Sequence, residues 1–215
     1  YKGLPIVHVH GGDVSSTADN AVRNAITKLA HYHLPASQKS ARRIVDMGEM
    51  EENICMIGAP GIEEILHMEK VPKDSLYKKF GLKNRRTALL LHHPMPGEDN
   101  YGNMLSILET LRKQDIQTVA IYPNADAGRD GIIQALKEYE EQIQLYKNLP
   151  RQEYLNLLRY VDFMIGNSSS GIIEAATLKT PVINVGDRQQ GRERGGNVID
   201  CDYQGIQEAI SQVYS

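Results

Sequence analysis

Short apolar runs alternate with longer segments of helical periodicity along nearly the whole chain. The runs are continuous, which is typical of parallel strands whose two faces are both covered by helices. The sequence therefore predicts an α/β fold built from βαβ units. The predicted strands are Pro5–His10, His33–Ala36, Asn53–Ile57, Thr87–His92, Thr118–Tyr122, Ile143–Tyr146, Phe163–Gly166, Pro181–Val185 and Asn197–Asp200.

The predicted elements fall into two groups. Residues 64–84 are rich in Lys, Glu and Asp with weak periodicity, which predicts a linker between domains. Residues 85–215 hold enough strands and helices for one complete Rossmann-like domain with a parallel sheet, whereas residues 1–63 supply about half of a second one. In that half, Ala18–Ala30 is predicted to be a helix that buries one apolar face, made of Ala18, Val22, Ala25, Ile26 and Leu29.

Composition excludes several classes of protein. Apolar residues make up 41% of the chain, charged residues 24%, and the formal net charge is −3, as in ordinary soluble globular proteins. The absence of a long basic patch argues against nucleic-acid binding. No apolar run approaches the ~18 residues that a membrane helix needs, and the start lacks the layout of a signal peptide, so we expect a cytoplasmic protein.

The strongest local feature is the sequence FMIGNSSSGIIEA, in which a buried strand ends in a hydroxyl-rich turn that opens a helix. Backbone N–H groups, the positive end of the helix dipole and the hydroxyls of Ser168, Ser169 and Ser170 suit an anion such as phosphate. Plain helix capping is the alternative for these serines. Glu174 can accept hydrogen bonds from a ribose diol, or it can simply complement the helix dipole.

A second anion-ready loop follows the strand Pro181–Val185. It carries Arg188, Arg192 and Arg194 among glycines, and guanidinium groups bind phosphate oxygens bidentately. A solvated loop is the alternative. Because this loop and the serine-rich turn follow neighbouring predicted strands, both are expected at the carboxyl edge where open α/β sheets bind ligands.

Two further strand ends carry polar side chains that are expected on the same rim. His92 and His93 follow one strand, and Asn124 and Asp126 follow the next. A histidine at such a position is more often structural than catalytic, and Asp126 can cap the following helix.

The first segment holds a second polar cluster, around the sequence HVHGGD. A metal site of His8 and His10 is one interpretation, but no third ligand at suitable spacing is evident, so no metal site is predicted. Asp19 and Arg23 stand four residues apart and can form a helix salt bridge. The cluster consists of His8, His10, Asp13, Asp19 and Arg23.

Taken together, these motifs resemble the UDP-N-acetylglucosamine 2-epimerase family. The resemblance is to the hydrolysing bacterial enzymes and to the epimerase half of the bifunctional animal enzyme of sialic acid synthesis. It covers nearly the whole chain, and its specificity comes from the linked order of the motifs. These are HGGD, RNAITKLAHYH, HHP, PNADAG, IGNSSSGIIEA, TPVINVGDRQQGR and NVI.

The resemblance implies a GT-B-like architecture of two Rossmann-like domains, with UDP held mainly by the carboxyl-terminal one. It implies that Ser168 and Ser169, with Ser170 beside them, contact the diphosphate. It further implies that Asp19 takes part in acid/base chemistry. The remaining positions that it carries over are Glu174 on the ribose, Arg188 on phosphate, and Asn124 and His93 near the nucleotide, His93 also as a candidate catalytic residue.

The chain departs from the family's pattern in two ways. Well-known members have Glu where this chain has His10, so Asp13 or His10 itself is expected to replace that acid/base group. The chain also opens with Tyr1, and the family's first half has no counterpart in it. We therefore expect a carboxyl-terminal part of the enzyme, inactive if it is the whole polypeptide.

The resemblance implies hydrolytic epimerisation of UDP-N-acetylglucosamine to N-acetylmannosamine and UDP in sialic acid biosynthesis. UDP is eliminated, water adds, and no cofactor is required. The close alternative is a hydrolysing epimerase of a UDP-2,4-diacetamido sugar, and a nonhydrolysing epimerase is less favoured. A GT-B glycosyltransferase and a non-catalytic nucleotide-binding module remain as other classes. Family resemblance also implies a homodimer or a dimer of dimers.

Overall fold

The computed structural model describes residues 3–15 and 18–215 and divides the chain into two units. The first unit comprises Tyr1–His67 together with Arg188–Arg192. The second comprises Met68–Asp187 together with Glu193–Ser215. In the part of the chain that is described, no helix combines the length and the apolar character needed to cross a membrane.

The first unit is a short α/β segment. Strands β1 and β2 pair in parallel, with His8 opposite His33. Ser37 caps the second helix by accepting a hydrogen bond from the Ser40 amide at 3.1 Å. Its elements are β1 (Val7–Val9), α1 (Ala18–Leu29), β2 (Tyr32–Leu34), α2 (Gln38–Asp46), a 3₁₀ turn (Glu51–Asn53) and α3 (Pro60–His67).

The strand predicted at Asn53–Ile57 is wrong. A 3₁₀ turn ends at Asn53, and beyond it the run forms no regular strand. It makes an isolated bridge between Ile54 and His33 and two backbone hydrogen bonds, from Cys55 N–H to the His33 carbonyl at 2.9 Å and from Ile57 N–H to the Pro35 carbonyl at 3.1 Å. Met56, which was expected inside the strand, is 57% exposed. An apolar run predicts burial, but it forms a strand only where a neighbouring strand continues the pairing.

The helix α1 forms as predicted, but the face expected to be buried is exposed. Val22 is 58% exposed and Leu29 is 69% exposed, whereas the polar Thr27 is fully buried. Thr27 faces the sheet because its hydroxyl bonds the His8 ring at 3.1 Å and the Arg23 carbonyl at 3.1 Å. Helical spacing predicts which side chains share a face, but it does not predict which face is covered.

The second unit contains all six strands predicted for it. The stretch 64–84, predicted as a linker, holds the end of α3 and all of α4, whose Leu76 and Tyr77 are buried. The elements of this unit are α4 (Lys73–Lys79), β3 (Thr87–Leu91), α5 (Asn100–Lys113), β4 (Gln117–Ile121), α6 (Arg129–Glu138), β5 (Gln144–Tyr146), α7 (Arg151–Tyr160), β6 (Phe163–Gly166), α8 (Ser170–Leu178), β7 (Val182–Val185), β8 (Val198–Cys201) and α9 (Ile206–Val213).

The six strands form one parallel sheet in the order β5-β4-β3-β6-β7-β8. This is the doubly wound order of a Rossmann-like domain, and its topological switch point lies between β3 and β6. Each sheet face has its own core, with Leu90 and Ile165 on one side and Leu89 and Met164 on the other. Because both faces are covered, the strands read as continuous apolar runs.

Gly166 ends β6 at the switch point, where the chain passes close to β3. Its φ of 135° lies in a region that side-chain-bearing residues rarely adopt, and a Cβ atom there would overlap the carbonyl oxygen of Leu91. Glycine is therefore required if β6 is to turn away directly beside β3.

We predict that Gly166→Ala destabilises the second unit by roughly 2 kcal/mol or more, through backbone strain and this overlap. Gly196→Ala is the matched control, because its added Cβ would meet nothing within 4 Å. Urea unfolding followed by circular dichroism measures both. Equal stability of the two variants would contradict the requirement for glycine at position 166.

His8 is a buried histidine on β1. Burial lowers its pKa below the usual 6.5, and the neighbouring His33 and Arg23 lower it further. The folded state therefore binds a proton less readily than the unfolded chain does. The stability that neutral His8 provides is full above pH 6.5 and declines as the pH falls below it.

We therefore expect the thermal stability of the first unit to fall between pH 7.5 and pH 5.5. His8→Gln, which cannot be protonated, should lose less stability over this interval than the unsubstituted chain. The exposed His67→Gln serves as the control and should follow the unsubstituted chain. Melting curves at the two pH values test this, and an undiminished decline in His8→Gln would refute it.

Candidate functional site

The carboxyl ends of β3 and β6 are joined by one buried side chain, that of Asn167. Its Oδ1 accepts a hydrogen bond from the His93 backbone N–H at 2.6 Å, and its Nδ2 donates to the His93 carbonyl at 2.8 Å. Asn167 is 1% exposed. Two opposed hydrogen bonds fix the spacing of the loops at the switch point, where sheets of this order bind ligands.

The His93 ring connects this clamp to the loop after β4. Its Nδ1 accepts a hydrogen bond from the Asn124 backbone N–H at 3.1 Å, so the proton of the neutral ring resides on Nε2. The side chain of Asn124 donates to Asp126 Oδ2 at 2.5 Å, and its Oδ1 accepts from the Asp126 N–H at 3.4 Å. The predicted residues His93 and Asn124 therefore lie together, in one network with Asn167.

The serine-rich turn follows Asn167 directly. Ser168 and Ser170 are buried and Ser169 is half-buried. Ser168 Oγ accepts from the Ser170 N–H at 3.3 Å, so this serine does cap the helix, whereas no capping bond is made by the side chain of Ser169. Helix capping therefore accounts for Ser168, while anion binding by the serines stays a prediction, since a hydroxyl that accepts a backbone hydrogen bond keeps its own proton to donate.

Glu174 lies on α8, one turn beyond the serines. Its Oε1 is 3.4 Å from Nη1 of Arg151 at the start of α7, and its side chain is 18% exposed. The partial exposure keeps the Glu174 carboxylate accessible to a ligand, and the pairing with Arg151 is of the kind that contributes little to stability.

Three arginines of the loop after β7 were expected to suit a diphosphate, but two of them pair with carboxylates of the chain. Arg192 pairs with Asp13, and Arg194 pairs with Asp200. Both guanidinium groups are therefore held by carboxylates of the chain. Arg188 opens the segment Arg188–Arg192 that belongs to the first unit, and its contact with phosphate stays a prediction.

The first unit contains a cavity of about 320 Å³. It brings together three of the four residues predicted as catalytic, since His10, Asp13 and Asp19 all line it. The other polar side chains on its wall are His8, Arg23 and Arg192. Such a mixture of imidazole, carboxylate and guanidinium groups can both transfer protons and hold an anion.

His10 has an unusual backbone at the end of β1. Its φ is 63°, in the left-handed region, while its amide donates to the Leu34 carbonyl at 2.9 Å. Gly12 is also left-handed, with φ of 74°, and a Cβ atom on it would overlap the Ser40 carbonyl oxygen. Non-glycine residues of this conformation are enriched at functional sites, which makes His10 a candidate on conformation as well as on composition.

Asp13 is held on three sides. One carboxylate oxygen pairs with Arg192, the other accepts from the Val14 N–H at 3.1 Å, and the Asp13 carbonyl accepts from Arg23 at 3.2 Å. Asp19 differs from it, because it is an exposed residue in the first turn of α1. The arrangement favours Asp13 as a group that orients Arg192 and leaves Asp19 and His10 as candidates for proton transfer.

The role of Asn167 and the partner of Arg192 were not predicted. Asn167 lies within the motif IGNSSSGIIEA, and its position directly after a buried strand was its one signal. Nothing in the sequence linked Arg192 to a residue 179 positions earlier. Among residues 3–15 and 18–215, no cluster of three or more His, Cys, Asp or Glu side chains is arranged to hold a metal ion.

Comparison with curated proteins places these features in a known context. The chain is 38% identical to the hydrolysing UDP-N,N'-diacetylbacillosamine 2-epimerase of Legionella pneumophila, over 99% of the chain and 59% of that protein. It is 32% identical to the UDP-N-acetylglucosamine 2-epimerase of Neisseria meningitidis, over 98% of the chain and 57% of that protein. The chain thus spans about three fifths of the length of these relatives.

The fold of the chain is also similar to that of solved structures. The crystal structure of the UDP-N-acetylglucosamine 2-epimerase of Neisseria meningitidis bound to UDP-N-acetylglucosamine superposes with a TM-score of 0.81 at 19% identity, over 99% of the chain and 62% of that structure. Its fold is GT-B-like, with Rossmann-like units of the kind found here. The sequence model described as UDP-N-acetylglucosamine 2-epimerase matches residues 1–215. On these grounds the chain belongs to the UDP-N-acetylglucosamine 2-epimerase family.

Proposed function

We propose that the chain is the UDP-binding and partly catalytic portion of a hydrolysing 2-epimerase that acts on a UDP-linked 2-acetamido sugar. The observation that carries the proposal is the network of Asn167, His93 and Asn124 beside the serine-rich start of α8. This network stands at the switch point of the sheet, where the N–H groups and hydroxyls of a helix start suit a diphosphate.

The similarity to curated proteins supports the hydrolysing reaction. The relative with 38% identity carries that reaction in its name, as does a 32% identical protein of Campylobacter jejuni that acts on GDP/UDP-N,N'-diacetylbacillosamine. We therefore favour a UDP-2,4-diacetamido sugar as the substrate. UDP-N-acetylglucosamine is the second candidate, supported by the Neisseria meningitidis relative, and its product would be N-acetylmannosamine.

UDP recognition is assigned to the second unit. Hydroxyl protons of the serine-rich turn donate to the diphosphate, and the ring of His93, which accepts from the Asn124 N–H, is assigned a place near the nucleotide. The carboxylate of Glu174 accepts hydrogen bonds from the ribose diol. These interactions strengthen as negative charge develops on the departing UDP, which lowers the barrier to its release.

Proton transfer is assigned to the cavity of the first unit. A base removes the proton from the sugar carbon that bears the acetamido group, the bond from the anomeric carbon to the diphosphate oxygen breaks, and a carbon–carbon double bond forms. Water then adds to the anomeric carbon, and a proton returns to the neighbouring carbon on the opposite face. We assign these transfers to His10 and Asp19, with Asp13 keeping Arg192 in place.

Measurements of UDP binding test the assignment of UDP recognition to the second unit. Titration calorimetry should detect binding of UDP to the chain and weaker binding of 2'-deoxy-UDP. Glu174→Gln should weaken UDP binding roughly tenfold, since hydrogen bonds to a charged acceptor are worth about 1.5–3 kcal/mol. The preference for UDP over 2'-deoxy-UDP should shrink in the same variant.

Glu153→Gln is the control for that titration. Glu153 lies on α7 and pairs with Lys79 at 2.9 Å, so its replacement removes a carboxylate of the same unit outside the proposed site. It should bind UDP as the unsubstituted chain does. The assignment of UDP to this unit is lost if the unsubstituted chain shows no binding.

An assay of UDP release tests the catalytic part of the proposal. We expect no UDP release from the chain alone, and release from a fusion that adds the amino-terminal two fifths of the Legionella relative. In deuterium oxide, the released sugar should carry deuterium on the carbon that bears the acetamido group. His10→Ala in this fusion should reduce the rate at least a hundredfold, whereas His67→Ala should not change it.

Each outcome of the turnover assay has a distinct meaning. UDP release without deuterium incorporation would indicate plain hydrolysis and exclude epimerisation. Full activity of His10→Ala would remove His10 from the mechanism. Binding without turnover in the fusion, unchanged by His10→Glu, would favour a non-catalytic nucleotide-binding module, a class that the His10 substitution keeps open.

A further inference from the structure

Tyr154 makes a contact that the proposed function does not yet use. It lies on α7, and its hydroxyl oxygen is 2.5 Å from the Oγ of Ser170, the first residue of α8. The same hydroxyl is 3.9 Å from the sulfur of Met164 on β6. Tyr154 therefore ties the start of the serine-rich helix to a neighbouring helix.

The environment keeps this hydroxyl protonated. The ring packs against the core on the α7 and α8 side of the sheet, and burial raises the pKa of Tyr154 above its ordinary value, as does the nearby carboxylate of Glu174. A phenol that stays protonated keeps a proton that it can donate in a hydrogen bond. Packing alone does not require the oxygen, because phenylalanine fills nearly the same volume.

Each hydroxyl group at the start of α8 has one proton to donate. Either oxygen of this pair can be the donor, and in our scheme the Tyr154 O–H donates to Ser170 Oγ. Ser170 Oγ then serves as an acceptor inside the protein, and its own proton remains to be donated elsewhere. Ser168 is in the same state, because its Oγ accepts from the Ser170 N–H at 3.3 Å. In this scheme the hydroxyls of Ser168 and Ser170 each accept a hydrogen bond from the protein and can each donate one to a ligand.

We propose that Tyr154 is a positioning residue that holds the hydroxyl of Ser170 as a donor to the diphosphate of UDP. The inference rests on the proposed function of the second unit. Tyr154 itself does not touch the ligand in this scheme. It fixes the orientation of a group that does, which lowers the entropy cost of ordering that hydroxyl when the anion binds.

The test compares a ligand that carries the diphosphate with one that lacks it. Dissociation constants of UDP and of uridine are measured by NMR titration for the unsubstituted chain, Tyr154→Phe, Ser170→Ala and the double variant. Tyr154→Phe should raise the Kd of UDP roughly fivefold, as expected for one neutral hydrogen bond. The Kd of uridine should stay the same, since uridine has no phosphate to bind the hydroxyl.

The double variant separates positioning from packing. If Tyr154 acts through Ser170, Tyr154→Phe adds no further loss of UDP affinity once Ser170 is alanine. Tyr160→Phe is the matched control, because Tyr160 lies on the same helix and uses its backbone carbonyl, not its hydroxyl, to accept from Tyr77 at 3.1 Å. It should leave both dissociation constants unchanged.

The possible outcomes are distinct. An unchanged Kd of UDP in Tyr154→Phe, or a parallel loss for UDP and uridine, overturns the inference while the proposed function stands. Absence of UDP binding by the unsubstituted chain overturns both. If Tyr154→Phe fails to fold, Ser170→Ala decides, and an unchanged ratio of the UDP and uridine constants in that variant overturns the inference.

Discussion

The organisation of the second unit depends on the junction between β3 and β6. Parallel pairing of these strands creates the switch point, and the two hydrogen bonds from Asn167 to the His93 backbone fix the loops that leave it. Gly166 permits the close approach, because a side chain there would meet the Leu91 carbonyl. Every group that we assign to UDP in this unit lies on one of these loops or on the helix that follows.

Ion pairs within the chain determine which charged side chains are left to bind a ligand. The sequence presented three arginines on a glycine-rich loop, which suggested a diphosphate site. Two of them are instead held by carboxylates, and one of those carboxylates is Asp13, which was expected to be catalytic. A buried or half-buried guanidinium group takes a carboxylate partner from wherever the fold provides one, and sequence distance has no part in that choice.

Much of the fold was predictable because its signals are local. Continuous apolar runs identified all six strands of the second unit, and a hydroxyl-rich turn after a strand marked the start of α8. Predictions failed where burial depends on a neighbour. The run at Asn53–Ile57 forms no regular strand, and α1 buries Thr27 while Val22 and Leu29 are exposed. Periodicity reports which residues share a face, while coverage of that face is a tertiary property.

The sequence by itself determined the class of fold and the family resemblance. It also placed His93 and Asn124 after strand ends and the three serines and Glu174 in the turn and first turns of α8, because strand ends and helix starts are set by residues close in the chain. Only the tertiary structure decided that Asn167 clamps His93, that the imidazole proton lies on Nε2, and that Tyr154 holds Ser170. These contacts join residues from 16 to 74 positions apart. Their geometry depends on packing of the whole sheet, which no local pattern encodes.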